Sequence, residues 1–134
     1  MPDYLLDTNH VTHLLGGAEN LRQRVEASAV TGQKFGVAMT VVGELFYAAY
    51  ASQRRDDNLR ALRAFMDDIV VWPYDELAAE EFGRIQAEQK AKGRPVPPLD
   101  AQIAAVARLH SLILLTADHH FQFIGNLTVE NWLA

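Results

Sequence analysis

The chain has 134 residues, of which 49% are apolar and 22% charged, and its formal net charge is −5. That is the length of one ordinary domain with a globular balance, which excludes disordered, collagen-like and low-complexity classes. There is no cysteine and no apolar run near the ~20 residues of a membrane span, so disulfide scaffolds, thiolate zinc sites, cysteine nucleophiles and spanning helices are excluded as well.

The opening Met-Pro-Asp lacks the basic stretch of a signal peptide, and a cytoplasmic protein is expected. Tyr4-Leu5-Leu6 is a short apolar strand that stops at Asp7. Leu21 and Val25 form an i, i+4 stripe of a helix. After the turn Thr31-Gly32, Phe35 to Met39 is predicted as a buried strand. Thr40 is then expected to cap a helix that starts at Val41 and turns Leu45, Ala48 and Ala49 inward. Asn58 to Asp68 is the next predicted helix, with Leu59, Leu62, Phe65, Met66 and Ile69 on one face. Ile69 to Trp72 is β-branched and aromatic and ends at Pro73, which makes a third strand.

Asp75 is a candidate N-cap for a helix carrying Leu77, Ala78, Phe82 and Ile85 inward. Lys90, Lys92 and Gly93 supply its C-terminal charge bias and C-cap. Arg94 to Leu99 holds three prolines and is expected to be a stiff loop. A helix from Asp100 to about His110 follows, with Ile103, Ala104 and Ala107 inward, then a strand at Leu112 to Leu115 and a fifth at Thr128-Val129. Strands alternating with helices predict an α/β protein with a mainly parallel sheet of about five strands, and one domain spanning 1–134.

In open parallel sheets, ligands bind outside the carboxyl ends of the strands. Asp7 follows the first strand directly, Glu44 lies in the first turns after the second, and Asp118 stands just past the fourth. Asp100 opens a helix that can present it at the same edge. Carboxylates gathered in one pocket raise each other's pKa unless a cation is present. An all-oxygen donor set selects Mg²⁺ or Mn²⁺, and such a site activates water and neutralises a phosphodiester in flight. The residues thus point to metal-dependent phosphoryl transfer, most simply a nuclease. Plainer readings exist: Asp7 and Asp100 as helix caps, Asp118 as a turn residue. Glu44 is harder to explain that way, because it sits among Val41, Val42, Leu45 and Phe46, where an unpaired carboxylate is costly.

Four stretches carry a resemblance: Leu5-Leu6-Asp7-Thr8-Asn9, Gly43-Glu44-Leu45-Phe46-Tyr47-Ala48-Ala49, Asp100-Ala101-Gln102-Ile103-Ala104-Ala105, and Leu115-Thr116-Ala117-Asp118-His119-His120-Phe121. In this order they resemble the successive motifs of PIN domains, and the tail from Ile124 to Trp132 is similar to the family's usual ending. The nearest group is the VapC-type ribonuclease toxins of type II toxin–antitoxin modules. The resemblance implies a three-layer α/β/α sandwich and an Mg²⁺- or Mn²⁺-dependent endoribonuclease acting on tRNA or rRNA. It makes Asp7, Glu44, Asp100 and Asp118 the metal-binding acids, with Asn9 and Thr116 as polar supports. It also implies a cognate VapB-like antitoxin and a homodimer. Two small departures, Ala48-Ala49 for Gly-Ala and Leu99 before Asp100, remove no ligand.

With the four acids placed in one pocket, the remaining acids and bases nearly balance. The net charge, which taken as a whole argues against nucleic acid, then becomes a mark of the site. Among rival readings, a haloacid-dehalogenase-like phosphatase needs an Asp where Asn9 stands, and a receiver domain needs one where the third strand ends in Trp72-Pro73. A non-catalytic module gripping a basic partner with its acids is the remaining alternative.

His10 and His13, and the pair His119-His120, raise zinc, but no cysteine or H-E-x-x-H pattern supports it. His10 is expected on a helix surface. Lys90, Lys92 and Arg94 are the favoured cluster for guiding an RNA backbone. Phe46, Tyr47 and Tyr50 spread around the circumference of their helix, which suits a groove for a partner helix.

Overall fold

A computed structural model describes residues 2–133. Along the chain run β1 (Tyr4–Leu6), α1 (Thr8–Leu15), α2 (Glu19–Val30), β2 (Phe35–Ala38), α3 (Met39–Ala51), α4 (Arg55–Asp67) and β3 (Val70–Trp72). Then come α5 (Glu76–Ala91), α6 (Pro98–Leu109), β4 (Ile113–Leu115), a 3-10 turn at His119–Phe123 and β5 (Thr128–Glu130). The five strands form one sheet in the order β3-β2-β1-β4-β5, every neighbouring pair parallel. With helices covering it on both sides, this is the expected α/β/α sandwich.

β1 is central and wholly buried, which is why it is a continuous apolar run rather than an alternating one. Around it close Val37, Val41, Leu62, Ile85, Ile103, Leu114 and Phe121. The C-terminal segment is clamped over the start of the sheet. Trp132 meets Tyr4 edge-on at 4.8 Å, Tyr4 stacks on Phe35 at 5.0 Å, and Arg24 lies over the Trp132 ring at 4.1 Å.

Several boundaries differ from those the sequence predicts. α3 begins at Met39 with no side-chain cap; the Thr40 hydroxyl instead donates to Gln102 Oε1 at 3.0 Å, tying α3 to α6. α4 begins three residues early, at Arg55, because Asp56 and Asp57 suit a first turn. Ile69 stays outside β3. Ala48 and Leu77, expected inward, face solvent.

Other signals hold. The Asp75 carboxylate accepts from the Ala78 amide at 3.0 Å as the N-cap of α5. Gly93 takes φ +68°, its amide bonds Lys90 O at 3.1 Å, and the Arg94 amide bonds Gln89 O at 3.0 Å, a complete Schellman ending. The proline segment is shorter than expected. Pro98 is already the first residue of α6, where its missing N–H costs nothing, so Asp100 lies inside the first turn and is not a cap.

Gly36 in β2 shows a close approach that sequence patterning does not reveal. A Cβ there would stand 2.7 Å from Val70 O and 2.9 Å from Trp72 Nε1. Gly36→Ala is expected to push β3 away from β2 and to cost about 1–3 kcal/mol. Chemical denaturation checks this, and an unchanged midpoint contradicts it.

Candidate active site

In the order 3-2-1-4-5 the connections reverse direction between β1 and β4, and a crevice opens beyond the carboxyl ends of those two strands. The chain leaves both strands there. The Asp7 amide donates to Leu115 O at 2.9 Å, so the residues following β1 and β4 emerge side by side. Asp7 is buried, and its two oxygens have separate partners: Oδ1 accepts from the Thr8 amide at 2.8 Å, and Oδ2 from the Thr116 hydroxyl at 2.7 Å. Thr116 Oγ1 in turn accepts from the Asp118 amide at 3.0 Å. Because that amide can only donate, the hydroxyl proton goes to Asp7, and one threonine fixes both the Asp7 carboxylate and the Asp118 backbone.

Glu44 reaches in from α3, with the Thr8 hydroxyl 3.4 Å from its Oε1. Asp100 comes from the first turn of α6, where the helix N-terminus favours an anion. Asp118 accepts from the His120 amide at 2.9 Å, and the His120 ring places Nδ1 at 3.1 Å from Asp118 and 3.6 Å from Asp100. The plain reading of Asp7 as a helix cap is also true, since it heads α1.

Burial and neighbouring acids both act on these carboxyls. Burial raises the Asp7 carboxyl, and the charge of Asp118 raises it further, against the lowering hydrogen bonds from Thr116 and Thr8. Glu44 is raised by burial, then by Asp7 and Asp100. Asp100 is raised by burial, then by Asp118 and Asp7, with His120 opposing. Asp7, Glu44 and Asp100 thus each feel the charge of another of the four predicted acids, although the four lie on separate elements. Among the described residues no lysine or arginine pairs with any of them. A divalent cation is the group that such a pocket fits.

Of the four predicted acids, Asp100 and Asp118, together with His120, offer ligand atoms all within 4.8 Å of one another, while among the described residues Asp7 and Glu44 stand outside that group. His120 is a member that sequence reasoning left aside. Its signal was adjacency to Asp118, which also fits a packing role. The nitrogen donor widens the acceptable ions from Mg²⁺ towards softer ones such as Mn²⁺.

Asn9 turns its Oδ1 towards the Ala117 amide at 3.4 Å and the His10 Nδ1 at 2.8 Å. His10 itself is the main correction to the sequence reading. It is wholly buried rather than on a helix surface, and its Nε2 accepts from the Trp132 amide at 3.1 Å. Burial, with a smaller push from the charge of His13, lowers it to about 4, so the ring is neutral near pH 7.

On α3, Tyr47 and Tyr50 are exposed and Phe46 is half-buried under Arg63, while Ala48 and Ala49 line a groove of about 300 Å³ with Leu15 and Leu62. Of the expected RNA-guiding cluster, Arg94 stacks on the exposed Phe123 ring at 4.2 Å and Lys92 reaches Phe123 O at 3.5 Å.

The family model of the PIN domain matches residues 4–127. This chain belongs to the PIN domain family. Within it, the chain is 34% identical to a tRNA(fMet)-specific endonuclease VapC of Shigella flexneri, over 98% of this chain and 99% of that one. It is 31% identical to ribonuclease VapC2 of Haemophilus influenzae, over 99% and 100%. It is therefore a VapC-type PIN domain. The toxin chain in the DNA-bound VapBC crystal structure from Salmonella typhimurium superposes with a TM-score of 0.89 at 30% identity, covering 98% of this chain and 99% of that one. The Shigella and Haemophilus relatives are named as a tRNA endonuclease and a ribonuclease, which favours a catalytic reading of this PIN domain's acids over a non-catalytic acidic grip.

Proposed function

We propose that this VapC-type PIN domain is an endoribonuclease toxin that hydrolyses RNA phosphodiester bonds at the carboxylate pocket and is neutralised by a VapB-like antitoxin. What supports this reading is that Asp7, Glu44 and Asp100, from separate places in the chain, are each raised in part by the charge of another of the four acids, with no lysine or arginine pairing with them among the described residues. Asp100 and Asp118, with His120 beside them, would hold Mg²⁺ or Mn²⁺, and Asp7 and Glu44 would complete the acidic set around the ion. The ion would supply Lewis-acid charge neutralisation and an activated water. The chain's own residues do the positioning. Thr116 locks Asp7 against Asp118, Thr8 steadies Glu44, and Asn9 bridges the loops after β1 and β4.

tRNA is the favoured substrate, in line with the name of the Shigella relative. A VapB-like partner is supported by the VapBC neighbours, with the groove beside α3 as its seat and a basic side chain reaching for the acids. A cytoplasmic location, a single domain over residues 1–134 and a homodimer belong to the same proposal.

Purified chain incubated with tRNA and Mn²⁺ is expected to produce defined new 5′ ends, to stop in EDTA, and to resume when the metal returns. Cleavage unaffected by chelation overturns the metal role, and no new 5′ ends overturns the nuclease.

A binding readout accompanies it. A carboxyl raised in the folded state contributes stability that is present at low pH and lost as pH rises through its raised value. Asp7, Glu44 and Asp100 all have that sign. Mn²⁺ is thus expected to raise the melting temperature more at pH 7.5, where the acids repel, than at pH 5, where protons compete with the ion. An equal shift at both values contradicts the assignment.

A further inference from the structure

His10 stands one residue past Asn9 on α1, fully buried, and both its ring nitrogens are engaged. The Trp132 amide, 3.1 Å from Nε2, can only donate, so Nε2 carries a lone pair. In the neutral ring the proton then sits on Nδ1, 2.8 Å from Asn9 Oδ1. Asn9 Oδ1 also faces the Ala117 amide. Two donors thus converge on the oxygen end of the carboxamide, which fixes which way the group is flipped. The Asn9 N–H₂ end has no hydrogen-bond partner among the described residues, and Asn9 itself stands two residues after Asp7 with its Oδ1 at the amide of Ala117, the residue before Asp118.

We propose that His10 is a positioning residue: held as its Nδ1–H tautomer by the Trp132 amide, it locks the Asn9 carboxamide so that the N–H₂ is presented as a donor to the anionic RNA group bound at the acids. The inference rests on the ribonuclease reading above and adds a link from the C-terminal segment to the site. Trp132 is held independently, by Tyr4, Phe35 and Arg24, so the tautomer is set by the packing of the tail. The logic is that of a ligand histidine whose second nitrogen is fixed by an outer partner; here the oriented group is an amide.

Two substitutions separate the two bonds. His10→Gln places an acceptor near the Nε2 position, for Trp132, and has nothing at the Nδ1 position. His10→Asn keeps a donor near Nδ1, for Asn9, and abandons Trp132. If His10 acts through Asn9, His10→Gln keeps its melting temperature yet loses about 10- to 100-fold in kcat with little change in KM. His10→Asn melts lower but recovers most of kcat. In an Asn9→Ala background His10→Gln adds no further loss. Activity that simply follows melting temperature across the two variants overturns the proposal.

One measurement is independent of cleavage and of either variant's folding. The ¹⁵N shifts of the wild-type imidazole are expected to show protonated Nδ1 and bare Nε2, and an Nε2–H tautomer overturns the inference. Failure of the wild type to cleave RNA, with the Nδ1–H tautomer present, instead counts against the ribonuclease reading.

Discussion

Asp100→Asn is expected to lower kcat for RNA cleavage by about 10³-fold while leaving the fold intact or slightly more stable. The activity loss follows from removing one anionic ligand of a cation whose charge stabilisation is worth several kcal/mol, at about 1.4 kcal/mol per decade of rate. The stability change has the opposite sign, because burial and the charges of Asp118 and Asp7 already disfavour the Asp100 carboxylate in the folded chain. A neutral isostere removes that repulsion, and the melting temperature should hold or rise by about 2–4 °C.

Asp100 is a cleaner choice than Asp7. Asp7 also accepts from Thr8 and Thr116, so its amide variant disturbs the support of the site as well as its charge. Among the described residues the Asp100 carboxylate pairs with the His120 ring alone, at 3.6 Å. Kinetics with melting curves on the same preparations decide the matter. Induced expression of both variants should relieve any growth arrest, and undiminished toxicity in Asp7→Asn and Asp100→Asn alike contradicts the assignment.

What could be seen in the sequence follows how local the determining physics is. Asp7, Asp75, Gly93, Asp100 and Asp118 are visible because each sits at a strand exit, a helix cap or a helix start, features set by a few neighbouring residues, and Glu44, in the second turn of α3, because a carboxylate stands out among apolar neighbours. Thr40 misled for the complementary reason. Its hydroxyl looked like a local cap, but a partner 62 residues away on α6 takes it. His10 is the same case at greater range: only when the tail returns to Tyr4 and Phe35 does Trp132 bring its amide to the ring. Leu77 and Ala48 fit an inward stripe by period alone, and no sequence pattern says that neighbouring helices stop short of them. His120 could be read as a flanking residue until Asp100 arrived from α6 beside it.

Arg108→Met carries the second large expected effect, on stability rather than activity. Arg108 lies on α6 with its side chain 8% exposed. Its Nε donates to Glu81 at 2.6 Å, its two Nη atoms grip Glu88 at 2.8 and 2.9 Å, and Nη1 also reaches Gly125 O at 3.1 Å. One guanidinium thus joins α5, α6 and the loop entering β5. Methionine keeps much of the stem but strips the partner from Glu81, whose side chain is only 12% exposed and keeps Arg84 alone.

A mostly buried carboxylate left with one exposed partner, together with the lost bonds to Glu88 and Gly125, is the costly outcome, and the expected loss is about 3 kcal/mol. At this chain length that corresponds to roughly 10 °C in melting temperature. Adding Glu81→Leu should recover a good part of it, since apolar replacement of both partners removes the stranded charge. Burial alone would raise Glu81, but its bonds to Arg108 and Arg84 outweigh that and hold it low, and Glu88 is lowered by Arg108. A depressed carboxyl contributes stability that is present above its unfolded pKa and lost as pH falls. The wild type should therefore lose more stability between pH 6 and pH 3 than Arg108→Met does. This sign is opposite to that of the pocket acids, so one pH titration of stability distinguishes the two carboxylate clusters. A variant that loses under about 1 kcal/mol at neutral pH, or that keeps the wild-type acid slope, would show that Arg108 does not hold α5, α6 and the β5 loop together.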